Sequence, residues 1–487
     1  MRNRYEEGIL REIFPSKEEE RAVEEMGEKL IAAVASAAGI PAMVTGSVAR
    51  GTWVKGDKDI DLFMLFPPET EREELREKGL AAGYAVVEMF GGTAAEKYAE
   101  HPYLNAVIDG FDVDLVPCYQ INSTAEMKCA VDRTPFHTRY LKEKIAPLRA
   151  DVLLLKQFCK AGGVYGSDHT TGGLSGYLCE LLALFCGGFT EVLSAAAGFR
   201  PQTIIDIEQY YPDKKAAAKL FSEPLIVIDP TDKTRNVAAA VTLTKLAEFT
   251  ALARGYLAHP SGAYFTAEPQ VLFSKEDFTS AVTRRKTALV SLTFKTPEYV
   301  EDTVVPQLKK TGESIASLLK DAEFSVIRSG FSMGKEHSLL LFELKSETLP
   351  AFTIREGPPV WNTENSKRFT AKYAQSGDFA GPWIADGRWY AETARKYTEA
   401  SALLRDTNTL FSASLGKHIR VSLEEGFEVK TGLLVWDEEF SAFFAGYFTK
   451  TASSIRKMQA AERDAGDPDA VCDTMCADKQ GCLHDEP

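Results

Sequence analysis

One stretch near the start of the chain decides the fold: Val44-Thr45-Gly46-Ser47-Val48-Ala49-Arg50-Gly51, continued by Lys58-Asp59-Ile60-Asp61-Leu62-Phe63-Met64-Leu65-Phe66. The continuation alternates charged and apolar residues before an apolar run, which predicts a strand over 59–66. Because residues i and i+2 of a strand project from the same face, Asp59 and Asp61 would lie side by side. Carboxylates on so apolar a strand are costly without a cation, and Mg²⁺ binds such groups together with substrate phosphates. Two solvated aspartates are the alternative, which the upstream Gly46-Ser47 pair disfavours.

A third carboxylate is expected from a second strand, predicted over 111–116 in an alternating segment that Pro117 ends. Asp112 and Asp114 have the same parity, so spacing does not choose between them. Three converging carboxylates suit a two-metal phosphoryl-transfer site, in which one ion activates an attacking hydroxyl and the other neutralises the leaving pyrophosphate. A small Gly46-Ser47 turn would let backbone N–H groups and the serine hydroxyl approach a triphosphate closely.

The order of these residues resembles the signature of the DNA polymerase β-like nucleotidyltransferase superfamily: Gly-Ser, a spacer, Asp-x-Asp and a distal Asp. Longer motifs resemble the archaeal class I CCA-adding enzymes, which are tRNA nucleotidyltransferases. These motifs span residues 46–61, 98–103, 112–119, 131–137, 153–166, 173–180 and 229–238. Weaker similarity continues to about residue 450, so the resemblance covers nearly the whole chain.

The resemblance implies an enzyme that adds C, C and A, one nucleotide at a time, to the 3′ end of tRNA. The substrates would be CTP and ATP, with no nucleic-acid template and with release of pyrophosphate. Asp59, Asp61 and Asp114, rather than Asp112, would be the catalytic carboxylates and would hold two Mg²⁺ ions. The implied nucleotide-binding residues are Gly46, Ser47, Arg50, His137, Lys156, Tyr165 and Arg235, the last as a reader of the incoming base. A homodimer is also implied.

Two other functions are considered. A poly(A) polymerase-like or oligoadenylate-forming nucleotidyltransferase would share the palm and the Asp-Pro … Asn-Val stretch over 229–237, and CTP incorporation would separate it from the first reading. A non-catalytic RNA-binding protein with a degenerate palm would be expected to have lost a carboxylate, whereas all three are present.

Length and composition indicate a multidomain globular protein. The chain has 487 residues, 45% hydrophobic and 26% charged, and single cores rarely exceed about 250–300 residues. No apolar run is long enough for a membrane span and no signal-peptide core follows Met1, so a cytoplasmic location is expected.

The net charge of −14 is unevenly distributed. Residues 1–145 hold 26 acidic against 18 basic residues, 146–460 hold 36 of each, and 461–487 hold eight against two. The middle of the chain can therefore present a basic face to RNA. The acidic total argues only against indiscriminate polyanion binding, which depends on phosphate neutralisation.

Changes of pattern along the chain predict four segments. Strands over 43–46, 59–66, near 84–89 and 111–116, with helices over 17–38 and 69–81, predict an α/β palm. The order β-α-β-β over 287–344 resembles a ferredoxin-like RNA-binding fold. Tryptophans interleaved with basic residues over 357–400 suit RNA stacking and serve equally well as packing residues. The predicted domains are a nucleotidyltransferase palm (1–148), a helical central domain (149–260), an α+β tRNA-binding body (261–460) and a disordered acidic tail (461–487).

The eight cysteines fall into two groups. Five lie in apolar settings and are predicted to be buried thiols of a reducing compartment: Cys118, Cys129, Cys159, Cys179 and Cys186. The other three cluster with a histidine in the acidic tail. A Zn²⁺ site at Cys472, Cys476, Cys482 and His484 is the alternative to disorder there.

Overall fold

A computed structural model describes residues 2–57, 59–98, 102–374 and 379–466 and divides the chain into two compact units. The first unit holds residues up to Glu268 and those from Thr451 onwards, and the second is Pro269–Lys450. Across the described ranges, no single helix is both long and apolar enough to cross a membrane. One sharply bent pair, Gly176–Cys186 with Phe189–Ala196, passes that test by length and composition.

The first unit opens with a five-stranded mixed sheet in the order β1-β2-β5-β4-β3, if strands are numbered along the chain. Its strands are β1 (Ala42–Val44), β2 (Asp59–Phe66), β3 (Thr93–Tyr98), β4 (Pro102–Ile108) and β5 (Phe111–Tyr119). The helices beside it are α1 (Arg4–Ile13), α2 (Lys17–Ala38), α3 (Gly46–Arg50) and α4 (Arg72–Met89). β2 and β5 are parallel, and Ile60, Leu62 and Met64 of β2 enter the core. Of the motif over 98–103, residues 99–101 lie outside the described residues.

α2 has the predicted bounds because its ends are encoded locally. Ser16 and Glu19 form a capping box at its start, and Gly39 ends it with a φ of +67°. The strand predicted near 84–89 is wrong, because α4 continues to Met89. Close packing against the sheet explains this: a Cβ on Gly79 would lie 2.5 Å from Cβ of Pro117. The helix follows the sheet surface, and the β-branched residues at its end are buried there.

The rest of the first unit is mainly helical and packs around one large apolar cluster. Its helices are α5 (Thr134–Ile145), α6 (Arg149–Ala161), α7 (Gly176–Cys186), α8 (Phe189–Ala196), α9 (Lys214–Ala218) and α10 (Leu243–Ala258). A small sheet, β6-β7-β8, comprises β6 (Thr203–Ile205), β7 (Leu225–Asp229) and β8 (Asp232–Asn236). The aromatic rings of Phe158, Phe189 and Tyr256 pack edge to face at the centre of this cluster.

The second unit contains a ferredoxin-like fold, as predicted. Its elements are α11 (Lys275–Arg285), β9 (Ala288–Lys295), α12 (Glu301–Asp321), β10 (Val326–Met333), β11 (His337–Leu344), β12 (Phe352–Pro359), α13 (Thr363–Tyr373), β13 (Trp383–Ala385), β14 (Arg388–Ala394), α14 (Ala400–Arg405), α15 (Thr407–Leu410), α16 (Lys417–Glu425), β15 (Phe427–Thr431) and α17 (Ser441–Phe448). The antiparallel sheet β10-β11-β9-β15, with α12 and α16, follows the β-α-β-β-α-β order. A second sheet, β12-β14-β13, is inserted between β11 and α16.

The last described helix, α18 (Ser453–Gly466), belongs to the first unit. Ala461 is buried in the large apolar cluster, and the Ser261 hydroxyl donates a hydrogen bond to Asp464 at 2.8 Å. The predicted boundary between residues 460 and 461 is therefore wrong, because a packed helix runs through it. Residues 467–487 lie outside the described residues, and with them both tail predictions, disorder and a Zn²⁺ site.

Short 3₁₀ helices connect several of these elements, at Thr124–Glu126, Ala130–Arg133, Ala146–Leu148, Gly262–Tyr264, Gly432–Val435 and Glu438–Phe440. The five cysteines before the tail are free thiols. Four of them are buried as predicted, while Cys186 is partly exposed at the end of α7.

Candidate active site

The predicted catalytic carboxylates lie at one end of the two parallel strands. β2 and β5 pair in register, with Asp61 opposite Asp114 and Asp59 opposite Asp112. Paired residues of neighbouring strands point to the same side of the sheet, so the register brings all four carboxylates to one face. Asp112 is exposed, whereas Asp114 is half-buried and its Oδ1 accepts a hydrogen bond of 2.8 Å from the Asn105 amide. Asp114 lies opposite Asp61 and is the candidate for a third ligand that the resemblance implies.

These carboxylates raise one another's pKa values. Burial, followed by the charge of Asp114, raises the pKa of Asp61 to about 6. Burial and the neighbouring charges of Asp57 and Asp112 also raise the pKa of Asp59. A divalent cation would reverse both effects, and carboxylate oxygens are the ligands that hard divalent cations prefer. The chemistry of this donor set therefore fits such a cation.

The carboxylates do not form a closed cage. Throughout the described ranges, no group of three or more His, Cys, Asp or Glu side chains is arranged to hold a metal ion. Mg²⁺ sites of phosphoryl-transfer enzymes commonly take one or two carboxylates and complete their coordination with water and substrate phosphates. A site of that kind would need such ligands in addition to the carboxylates.

Gly46 makes the close approach of the turn to β2 possible. Its φ is +67°, and a Cβ at this position would overlap the Asp61 carboxylate. The preceding Thr45 donates its backbone N–H to the Asp61 carbonyl at 2.8 Å. Ser47 follows in the first turn of α3, so the predicted Gly-Ser turn lies directly beside the carboxylates.

Four of the predicted site residues surround a small cavity of about 150 Å³: Ser47, Asp59, Lys156 and Tyr165. Lys160 also lines it, 2.8 Å from the carboxylate of Asp57 and 5.5 Å from the ring of Tyr165. Two lysines, a serine and a carboxylate predicted to be catalytic thus meet in one place. This composition suits the phosphates of a nucleotide.

Arg50 and Lys156 share a buried counter-ion, Glu180, to which the sequence motifs assign no role. Arg50 Nε donates to Glu180 Oε2 at 2.9 Å, and Lys156 Nζ lies 3.6 Å from Oε1. The Thr52 hydroxyl donates to the same carboxylate, and the Thr52 carbonyl accepts from Lys156 Nζ at 2.8 Å. Burial alone would raise the pKa of Glu180, but Arg50 and Lys156 outweigh it and hold the pKa below its usual value. The sequence did contain a signal for this role, because Glu180 is the single acidic residue of the apolar helix α7.

Lys156 and Arg50 differ in their access to a ligand. Lys156 is 3% exposed, burial lowers its pKa, and it still lines the small cavity. Arg50 is 8% exposed and also donates to the Thr138 hydroxyl at 3.3 Å, so it stands behind the cavity walls in the described structure. Its charge lowers the pKa of Asp61, against the effect of burial. The arrangement gives Arg50 an electrostatic effect on the carboxylates from within the core.

His137 and Arg235 meet at a second, larger cavity of about 860 Å³. Its walls are formed by Ala130, Val131, Arg133, Thr134, His137, Ser167, Ser175, Tyr177, Phe221, Glu223, Asp232, Thr234, Arg235, Asn236, Val237, Ala239 and Ala240. Buried Asp229 holds both residues, because its Oδ2 lies 2.8 Å from His137 Nε2 and 2.8 Å from an Arg235 guanidinium nitrogen. Burial would raise the pKa of Asp229, but the contact with His137 holds it well below its usual range. Burial lowers the pKa of His137 itself.

The chain matches three models of protein families in succession. Residues 28–145 match a nucleotidyltransferase domain, 150–266 the second domain of tRNA nucleotidyltransferases, and 285–432 the C-terminal domain of the CCA-adding enzyme. A palm sheet that carries paired carboxylates beside a glycine turn agrees with the first match. The fold and the site thus define a nucleotidyltransferase, a class that generally uses divalent metal ions.

Relatives over the whole length identify the family. The CCA-adding enzyme of Methanoregula boonei is 46% identical over 93% of this chain and 97% of its own. That of Methanosarcina acetivorans is 41% identical over 86% of this chain and 92% of its own. The chain belongs to the family of CCA-adding enzymes, and its reaction is the addition of CCA to the 3′ end of tRNA. The poly(A) polymerase-like alternative is not favoured.

A solved structure of the RNA terminal uridylyl transferase Cid1 also matches, over 54% of this chain and 98% of its own. Its sequence identity is 17% and its TM-score 0.43. This likeness is too low to add to the assignment.

Proposed function

We propose that this protein adds C, C and A one at a time, without a nucleic-acid template, from CTP and ATP to tRNA, with two Mg²⁺ ions at Asp59, Asp61 and Asp114. The in-register pairing of Asp61 with Asp114 beside the Gly46 turn is the observation that carries the proposal. It supplies neighbouring carboxylates at a place where backbone and a serine hydroxyl can reach phosphates.

The two cavities suit different parts of the incoming nucleotide. The small cavity, with Ser47, Lys156 and Lys160, would hold the triphosphate, and Tyr165 would form part of its wall. The large cavity, with His137 and Arg235, would hold the nucleoside, and Asp229 would orient Arg235 toward the base. Bound divalent ions would lower the pKa of the attacking 3′-hydroxyl and neutralise the pyrophosphate. Asp59, Asp61 and Asp114 would hold these ions.

The test is incubation of a tRNA that lacks CCA with CTP, ATP and Mg²⁺, followed by analysis of the extended 3′ end. Asp61→Ala and Asp114→Ala should each abolish addition of both C and A, because the carboxylates serve every step alike. Asp112→Ala is the matched control, since Asp112 lies on the same strand and face but is exposed. Loss of activity in Asp112→Ala with activity retained in Asp114→Ala would overturn the choice of ligand. Addition of A alone, repeatedly, would favour the poly(A) polymerase-like alternative.

The predicted homodimer and cytoplasmic location rest on the resemblance and on the sequence, and they stay predictions. Sedimentation equilibrium would test the first, because a homodimer has twice the 53.6 kDa mass of one chain.

A further inference from the structure

Two residues that line the large cavity each have a buried polar atom without a hydrogen-bond partner in the described part of the chain, Tyr177 Oη and Arg133 Nε. A buried polar group that lacks a partner costs free energy, so native structures rarely keep one without a reason. One Arg133 guanidinium nitrogen still pairs with Asp232 at 3.1 Å, whereas the Tyr177 side chain has one polar atom and it is unpaired. Tyr177 is therefore the group that most needs a ligand.

The position of the Tyr177 ring is fixed. The His137 ring stacks on it, with the ring centres 4.0 Å apart and the planes 19° from parallel. His137 is in turn held by Asp229. Tyr177 also lies in the first turn of α7, where the Ser175 side chain caps the helix. A hydroxyl held this firmly can contact a ligand with little loss of conformational freedom.

The Tyr177 hydroxyl lies near groups assigned above to both ends of a nucleotide. Tyr177 and Glu180 are three residues apart on α7 and share a face, and Glu180 pairs with Lys156 of the small cavity. The charges of Asp229 and Arg235 also act on the Tyr177 hydroxyl, and Arg235 lines the same large cavity as Tyr177. Burial raises the pKa of this hydroxyl, so it stays protonated and can both donate and accept a hydrogen bond. The sugar of a nucleotide lies between its base and its phosphates.

We propose that the Tyr177 hydroxyl binds a ribose hydroxyl of the incoming nucleotide and thereby selects ribonucleotides. This inference rests on the proposed function, because it requires CTP or ATP in the large cavity. CTP and ATP carry the same sugar, so the contact serves both nucleotides equally and takes no part in the choice of base. It is distinct from the residues that the resemblance assigns to nucleotide binding.

The experiment measures single-nucleotide addition by the full-length enzyme, with CTP, 2′-deoxy-CTP and 3′-deoxy-CTP on a tRNA without CCA, and with ATP on a tRNA that ends in CC. Tyr177→Phe keeps the stacking on His137 and removes the hydroxyl alone. We expect KM to rise roughly 3- to 10-fold for CTP and for ATP alike, the loss of one ordinary hydrogen bond. One of the two deoxy nucleotides lacks the ribose hydroxyl that Tyr177 would contact. With that nucleotide the variant and the wild type should have the same KM.

Tyr264→Phe is the matched control. Its hydroxyl is also buried and, within the described residues, unpaired, but it lies in the apolar cluster away from the cavity walls. This variant should leave KM unchanged for every nucleotide. An equal rise of KM for Tyr177→Phe with all three cytidine nucleotides would overturn the inference, and so would no rise at all. Failure of the wild type to add C would instead overturn the proposed function, so the two failures are distinguishable.

Discussion

The backbone at Gly46 lies so close to the Asp61 side chain that position 46 has no space for a side chain. The backbone at Gly46 has a positive φ, and the space that a Cβ would need is filled by the Asp61 carboxylate. The same glycine thus determines both the turn and the position of a carboxylate that we propose to be catalytic. A substitution here should affect the chemistry more than the fold.

Gly46→Ala should reduce CCA addition by at least 100-fold, because the Asp61 carboxylate must move. The free energy of unfolding should fall by only about 1–2 kcal/mol, the cost of a left-handed conformation for alanine. Single-turnover kinetics and chemical denaturation measure the two effects. Gly56→Ala is the control, since Gly56 has a φ of +88° and no atom of the described structure lies within 4 Å of its Cβ position. Similar activity losses in both variants would contradict the argument.

Lys156→Ala should raise KM for CTP and ATP in the same proportion. A charge-assisted contact contributes about 1.5–3 kcal/mol, which corresponds to roughly a 10- to 100-fold rise. Glu180 keeps its pairing with Arg50, so the variant should fold. Steady-state kinetics with each nucleotide test the prediction. Lys457→Ala removes another buried lysine of the same unit and should leave both KM values unchanged. A strongly unequal effect on CTP and ATP would mean that Lys156 shapes the base pocket.

At the level of elements, one buried carboxylate connects three parts of the second unit. Glu343 of β11 accepts hydrogen bonds from Arg285 at the end of α11, from Arg328 of β10 and from Tyr447 of α17. The Thr287 hydroxyl donates to it as well. Burial alone would raise the pKa of Glu343, but these hydrogen bonds outweigh it and bring the pKa to about 2.

This network predicts a pH dependence for the second unit. The pKa in the folded state lies below the ordinary value of 4.5, so ionised Glu343 stabilises the fold above about pH 4.5. That stabilisation is lost as the pH falls from about 4.5 to about 2. Glu343→Gln should therefore lower the free energy of unfolding by roughly 3 kcal/mol at pH 6, and the difference from wild type should shrink toward pH 3.

Urea unfolding followed by tryptophan fluorescence measures this effect, because four of the five tryptophans lie in the second unit. Glu428→Gln is the control on the same sheet. Its carboxylate is exposed and pairs with Lys430 at 3.0 Å, so its removal should have little effect at either pH. A difference between wild type and Glu343→Gln that stays constant from pH 6 to pH 3 would contradict the assignment.

For the whole molecule, the end of α18 determines how much of the chain can be removed. Lys457 donates to the Thr266 carbonyl, Arg456 pairs with Glu268, and Ala461 is buried in the first unit. Residues 467–487 follow this helix and hold six acidic residues against one lysine. A truncation at residue 460 would cut through the helix, whereas a truncation at residue 466 would keep it.

Removal of residues 467–487 should leave the rate of CCA addition within about twofold of the full chain. At low salt tRNA binding should tighten slightly, because repulsion between acidic residues and phosphates is removed, and added salt should abolish that difference. Removal from residue 453 onward is the contrasting variant, and it should lower the melting temperature of the first unit. One zinc ion per chain that disappears with residues 467–487 would instead support the Cys472, Cys476, Cys482 and His484 site.

The sequence by itself determined the elements whose signals are local. β2 and α2 have the predicted bounds, because alternation defines the strand and caps define the helix. The resemblance implies seven nucleotide-binding residues. Ser47, Lys156 and Tyr165 line the small cavity, whereas His137 and Arg235 line the large one. The signals for β2 and α2 depend on residues close in the chain, so they hold whatever the rest of the molecule does.

Only the tertiary structure decided the features that depend on distant residues. The end of α4 follows from close packing on the sheet, and the hydrogen bond between Asn105 and Asp114 joins two neighbouring strands. The pairing of Arg50 with Glu180, 130 residues away, is of the same kind. A buried charge needs a partner, but the spacing of residues does not say which one the fold will bring to it. The packing of the whole folded chain determines which partner a buried charge has.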